Sequence, residues 1–281
     1  MATERVALGD LFVYPVAFGT MNLAGEGRPS REVALETLRE ACEAGVELVD
    51  TADVYGRDGG DAHHAEALVA ELRRSHPFVK VASKGGVVRR GDVWEHRGDP
   101  AYLRAACEAS LRALRLDVID LYFLHAVDTR VPIEESVGAL VRLREEGKVA
   151  RLGVSNVSAP ELRAALREAP LVAVQNEGSP FVRMDPDVET ICRAEGLLLQ
   201  AYAPMGGWRA GRVAHEPTLR RVAAELGVSP FEAIVAWTRS RAWMPVCGAS
   251  RPRNARSSAE AARRTLSEAQ REAIDALATF G

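Results

Sequence analysis

Residues 46–56 read Val46-Glu47-Leu48-Val49-Asp50-Thr51-Ala52-Asp53-Val54-Tyr55-Gly56, a short apolar run that stops at acids, hydroxyls and a tyrosine. The same change of character recurs along the chain. Nearly continuous apolar runs occupy Val16 to Phe18, Val46 to Val49, Val79 to Ala82, Val118 to Leu124, Leu152 to Val154, Leu171 to Val174, Leu197 to Leu199 and Trp243 to Val246. Runs of this kind suit parallel strands covered on both faces. Between them lie helical faces, for example Leu35, Leu38, Ala41 and Cys42, or Leu103, Ala106, Cys107, Ser110, Leu111 and Leu114. Eight strands, each followed by a helix, predict an α/β fold of the (β/α)8 TIM-barrel type, closed by right-handed crossovers. Val6 to Leu11 predicts a short N-terminal hairpin that plugs the barrel bottom. No linker is long enough to set off a second domain, so residues 1–281 are expected to form a single barrel domain.

Bulk properties agree with a globular protein. The chain has 281 residues, 47% hydrophobic and 27% charged, with a formal net charge of −3, which gives no basic surface for nucleic acid. No apolar run approaches 18 residues and no signal-like segment follows Met1, so no membrane association and a cytoplasmic location are expected. Cys42, Cys107, Cys192 and Cys247 are widely spaced and predict buried thiols in a reducing compartment. Adjacent His63 and His64 read as surface residues without a supporting carboxylate, and no metal site is expected.

Function is concentrated where the apolar runs end. In barrels the active site lies at the C-terminal ends of the strands. There the sequence places Asp50 and Tyr55 after strand two, Lys84 after strand three, His125 after strand four, Ser155 and Asn156 after strand five, Gln175 after strand six and Tyr202 after strand seven. Singly, each has an ordinary explanation as packing, cap or solvated charge. Together, Asp50, Tyr55, Lys84 and His125 suit carbonyl reduction, which needs a proton for oxygen as hydride reaches carbon. A free phenol near pKa ~10 is a sluggish acid. An ammonium beside it favours the phenolate, and a carboxylate anchors the ammonium. Bringing the phenol to neutrality asks for roughly 3 units, about 4 kcal/mol. The expected roles are Tyr55 as acid, Lys84 as tuner, Asp50 as anchor and His125 as orienting group.

With these residues in order the sequence resembles the aldo-keto reductase superfamily over nearly its whole length. The resemblance rests on Val49 to Gly56, Ser83-Lys84, Asp120-Leu121-Tyr122-Phe123-Leu124-His125, Gly153-Val154-Ser155-Asn156, Val174-Gln175-Asn176, Ala201 to Gly206 and Pro245 to Ser250. It implies NADPH, with NADH as the alternative, bound extended across the barrel mouth; consistently, no G-x-G-x-x-G follows a strand. It further implies that Thr20, Ser155, Asn156 and Gln175 surround the nicotinamide, that Tyr202 stacks on it, and that Ala203, Pro204, Met205 and Gly206 meet the pyrophosphate. Ser250, Arg251 and Arg256 fall where the family grips the 2′-phosphate, a monoester that guanidinium binds in bidentate fashion. The sequence departs from the pattern at Gly178, where relatives carry tyrosine and where open space is therefore expected, and at Ser258, where they carry asparagine. The segment after Tyr202 is expected to run quickly into the next helix.

Met21, Trp94, Val127 and Trp208 are expected to wall the substrate pocket, and Arg89, Arg90 and Arg97 hint at an anionic or polyhydroxy substrate. The expected activity is reduction of a small aldehyde or ketone, a sugar or natural-product carbonyl among them. Two other readings stand beside it: a non-catalytic cofactor-binding redox-sensor subunit, and a Schiff-base lyase acting through Lys84. Substrate identity, reaction direction and oligomeric state (monomer or homo-oligomer) are not written in the sequence.

Overall fold

The structure, a computed structural model, describes residues 4–91 and 93–279. Strands are β1 (Val6–Leu8), β2 (Leu11–Val13), β3 (Ala17–Gly19), β4 (Leu48–Asp50), β5 (Lys80–Gly85), β6 (Val87–Arg90), β7 (Val93–His96), β8 (Leu121–Leu124), β9 (Leu152–Ser155), β10 (Ala173–Glu177), β11 (Leu198–Tyr202) and β12 (Met244–Gly248). Helices are α1 (Arg31–Glu43), α2 (His64–Leu72), α3 (Pro100–Leu114), α4 (Ile133–Glu145), α5 (Ala159–Glu168), α6 (Pro186–Glu195), α7 (Pro217–Leu226), α8 (Pro230–Ser240), α9 (Pro252–Ala261) and α10 (Glu268–Asp275). The order β3-β4-β5-β8-β9-β10-β11-β12 closes on itself as an all-parallel barrel. Helix starts are set locally: Asp99 and Asp185 cap α3 and α6 with proline at the first turn, and Ser158 and Ser229 form capping boxes with Glu161 and Glu232.

All eight expected strands are present, most beginning one to three residues later than the apolar runs and ending later too. An apolar run marks where a strand is covered on both faces, whereas the ladder continues into the polar rim. Side chains alternate between two cores. Leu48, Ala82, Leu121, Phe123, Ala173, Leu198, Met244 and Val246 fill the barrel interior together with Leu8 and Val13 of the β1–β2 hairpin, which thereby closes the barrel floor. Val49, Val81, Tyr122, Leu124, Leu152, Val154, Val174 and Leu199 face outward into the helical layer. Gly153 lies between outward-facing Leu152 and Val154, and it must lack a side chain because a Cβ there would lie 2.4 Å from the Phe123 ring.

Two features differ from the sequence reading. The loop after Lys84 contains the antiparallel β6–β7 hairpin. The segment after Tyr202 folds as a 3-10 helix, Gly207–His215, before α7 begins. The four cysteines are free and buried, and burial pushes each thiol up to about 12. Among the described residues, no helix is long and apolar enough to cross a membrane, and no cluster of three or more His, Cys, Asp or Glu side chains suits a metal ion.

Candidate active site

Strand alternation determines which rim residues meet. Asp50 shares the inward face of β4 with Leu48, and Lys84 that of β5 with Ala82, so both side chains turn into the barrel mouth. Lys84 is fully buried; its ammonium donates to Asp50 Oδ1 at 2.5 Å and to the Thr51 carbonyl at 2.9 Å. Its Nζ lies 5.3 Å from the centroid of the Tyr55 ring, and the Tyr55 and His125 rings meet edge to face at 6.0 Å. The four residues singled out for chemistry are therefore neighbours.

Burial alone would pull the Lys84 ammonium down, but Asp50 and Tyr55 outweigh it and hold the group above its ordinary value. For Tyr55 the balance runs the other way. Burial pushes the phenol up and Lys84 pulls it back only partly, so in the protein alone it stands above its ordinary value, not near neutrality. His125 is held well below the usual range by burial and by the Lys84 charge, so the ring is neutral, and its Nδ1 has no partner among the described residues.

The expected cofactor residues divide into three groups. Thr20 is buried, with its hydroxyl donating to the Asp50 carbonyl at 3.0 Å, so that it braces β4 at the strand end. Gln175 is also buried, and its Nε2 donates to Asp50 Oδ2 and to Gln200 Oε1, both at 2.8 Å. It therefore fixes the anchor carboxylate and offers only its oxygen outward. Asn156 is exposed; its amide donates to the His125 carbonyl and to Ser155 Oγ, while its oxygen accepts from the Tyr202 hydroxyl at 2.7 Å.

Asn156 and Ala203 hold φ of 56° and 48°, left-handed values that cost a non-glycine residue energy and that gather at functional sites. Gly206 and Gly207 follow at 84° and 56°, so the turn Ala203-Pro204-Met205-Gly206 is tightly wound at the strand end. At the far side, Ser250 and Arg251 are exposed at the start of α9, with Arg251 at the N-cap. The Arg256 guanidinium pairs with Glu40 at 2.5 Å, Glu43 at 3.4 Å and Glu260 at 3.7 Å, tying α9 to α1.

The outer walls are open. Trp208 is 83% exposed, Met21 52% and Trp94 41%, and Val127 is half-buried. Arg209 lies over Trp208 at 4.2 Å, and Arg89 over Trp94 at 5.4 Å. The hint of an anionic substrate weakens, because Arg90 faces Glu95 at 3.5 Å and Arg97 pairs with Asp99 at 2.9 Å. Gly178 opens no space either; a Cβ there would meet Met184, Ala201 and Trp243 within 3.5 Å. His63 and His64 do have carboxylates at helical spacing, His63 with Glu66 at 2.6 Å and His64 with Asp61 at 3.7 Å. Asp53, Glu66, Tyr102 and Gln200 escaped the sequence reading, although Glu66 sits three residues beyond His63, a spacing that signals a helical pair.

With that geometry in place, likeness to known proteins is informative. The sequence profile of the aldo/keto reductase family matches residues 15–279, so the chain belongs to the aldo/keto reductase family. Membership makes it an oxidoreductase. Among solved structures, a glycerol dehydrogenase from Gluconobacter oxydans is 25% identical, with a TM-score of 0.84 over 99% of this chain and 95% of that one. An aldo-keto reductase from Klebsiella pneumoniae, solved with NADPH, is 25% identical with a TM-score of 0.85 over 99% and 95%. A Bacillus halodurans aldo-keto reductase, 22% identical with a TM-score of 0.83 over 99% and 97%, shares the fold.

Proposed function

We propose that this chain reduces a small aldehyde or ketone with NADPH, with Tyr55 as proton donor. The observation that carries the reading is the fully buried Lys84, held between Asp50 at 2.5 Å and the Tyr55 ring at 5.3 Å. The rim suits a dinucleotide. Ser155 and the free oxygen of Gln175 match a carboxamide, the left-handed turn at Ala203–Gly206 suits the close approach of a pyrophosphate, and Ser250, Arg251 and the N-terminus of α9 match a phosphate monoester. The NADPH of the Klebsiella relative supports the same choice. When bound, the reduced nicotinamide supplies hydride to the carbonyl carbon.

The chain's own residues do the rest. Tyr55 gives its proton to the carbonyl oxygen as negative charge develops there. Lys84 stabilises the phenolate left behind, and Asp50, gripped by Lys84, Gln175 and the Thr20 strut, keeps that ammonium in place. Neutral His125 donates a hydrogen bond that orients the carbonyl. Burial keeps water away from these exchanges and strengthens each of them. A Schiff-base role for Lys84 is disfavoured because Asp50 and Tyr55 hold the amine protonated and so not nucleophilic. The test is loss of reduced-nicotinamide absorbance with NADPH and a panel of aldehydes and ketones: saturable turnover is expected. Tight NADPH binding with no turnover on any carbonyl would instead point to a redox-sensor subunit.

A further inference from the structure

Behind the rim, on the outward side of the strand that carries Lys84, sits a second buried polar cluster that the chemistry above leaves unused. Glu66 on α2 is fully buried; one carboxylate oxygen accepts from Ser83 Oγ at 2.5 Å and the other faces His63 Nδ1 at 2.6 Å. Asp53, 5% exposed, stands close by. Its Oδ2 accepts from the Tyr102 hydroxyl at 3.3 Å, and its Oδ1 has no partner among the described residues. His63 holds φ of 65°, a left-handed conformation uncommon for a residue with a side chain. Apolar residues of similar volume would often serve a fold as well as buried carboxyl groups do.

The connections of the cluster lead to the catalytic pair. Ser83 precedes Lys84 and points the opposite way from the same strand. The chain from Asp53 to Ala65 is laced to it: Asp53 N donates to the Lys84 carbonyl at 3.3 Å, His63 N to the Asp53 carbonyl at 2.7 Å, and Ala65 N to the Tyr55 carbonyl at 3.2 Å. Glu66 thus holds β5 through Ser83 and the tyrosine loop through His63.

We propose that Asp53, His63 and Glu66 are positioning residues for the proton donor. Glu66 bridges the two elements that carry Lys84 and Tyr55 and fixes their separation, and Asp53 controls the charge behind the phenol. The inference rests on Tyr55 being the donor. Burial and Glu66 push the Asp53 carboxyl up to about 8, with His63, the Val54 amide and Tyr102 pulling the other way. Beside the larger effects of burial, Lys84 and Asp50, an ionised Asp53 adds a further, smaller upward push on the phenol, making it a poorer acid. The other groups around the cluster are Asp58 and Arg89, which line the same cavity as Asp53 and His63, Ser83 on β5, Tyr102, Cys107 and Arg112 on α3, and Tyr122 on β8.

The experiment compares full-length wild type, Glu66→Gln, Asp53→Asn and Tyr55→Phe, measuring NADPH affinity by fluorescence titration and kcat and KM for one aldehyde across neutral and alkaline pH. Glu66→Gln should lower kcat about 10- to 100-fold, the scale on which small misplacements act, with NADPH affinity and carbonyl KM held within threefold. Wild-type kcat should fall as pH rises through about 8. Asp53→Asn should remove that limb. Unchanged kcat in Glu66→Gln, or an Asp53→Asn profile that superimposes on wild type, overturns the proposal. Should Glu66→Gln fail to fold, the Asp53→Asn profile decides alone. Wild-type turnover in Tyr55→Phe would instead remove the donor assignment itself; an inactive Tyr55→Phe with the other two indistinguishable from wild type would remove only the positioning role.

Discussion

The end of the barrel mouth that holds Lys84 and the end that begins α9 handle charge in opposite ways. Around Lys84, donors and acceptors are buried and interlocked, with Asp50 accepting from both Lys84 and Gln175. Around Ser250 and Arg251 the polar groups stand in water, and the Arg256 ion pairs run along the outside between two helices. Breaking a buried pair strands a charge and costs about 3–5 kcal/mol, whereas an exposed pair contributes about 0–1 kcal/mol. On the proposed function, the first end serves chemistry and is bound up with folding, while the second serves cofactor affinity.

Lys84→Met should expose that contrast most strongly. It leaves Asp50 buried without its cation, so turnover should fall by about 10²- to 10⁴-fold and denaturant unfolding should show about 3–5 kcal/mol of lost stability. If the variant kept wild-type stability, the buried pair would not be coupled to folding as described. At the other end, Arg251→Ala should raise KM for NADPH about tenfold, roughly 1.4 kcal/mol, leave KM for NADH unchanged and leave the melting temperature alone. Arg256→Ala should change KM for NADPH less than threefold, since its guanidinium is already committed to Glu40, Glu43 and Glu260. A larger effect at Arg256 than at Arg251 would mean that those pairs open when cofactor binds.

A smaller effect concerns pH and stability. Folded Asp53 keeps its proton up to about 8, while an ordinary carboxyl releases it near 3.8. Within that window the native state binds a proton that the unfolded chain has lost, so this group's contribution to stability falls as pH rises. Wild type should lose stability relative to Asp53→Asn across the window in paired urea titrations. Parallel stability curves for the two proteins would contradict the buried, proton-retaining Asp53.

The barrel was legible because its signal is local. Apolar runs such as Leu152 to Val154 and the helical face of Leu103, Cys107 and Leu114 need no knowledge of distant partners. The order of Asp50, Tyr55, Lys84 and His125 was legible too, since strand ends in a barrel share one rim. What could not be read were partnerships across the helical layer. Arg256 meets Glu40 from 216 residues away, and Ser83 meets Glu66 only because α2 packs behind β5. The same ambiguity explains Thr20 and Gln175. Their types suit a ligand contact, but not even their types reveal that each also holds Asp50, through its carbonyl and its carboxylate respectively. The β6–β7 hairpin had a local signal, Gly91-Asp92 between Val87-Val88 and Val93-Trp94, which a strand search restricted to the barrel passes over.

The central claim is that Tyr55 delivers the proton while the cofactor site is independent of it. Single-turnover stopped-flow on enzyme preloaded with NADPH, wild type against Tyr55→Phe, tests it most directly. The expected result is NADPH affinity within about twofold of wild type and a chemical step slowed by about 10²- to 10⁴-fold. A Tyr55→Phe protein that oxidises its bound NADPH at the wild-type rate would contradict the account.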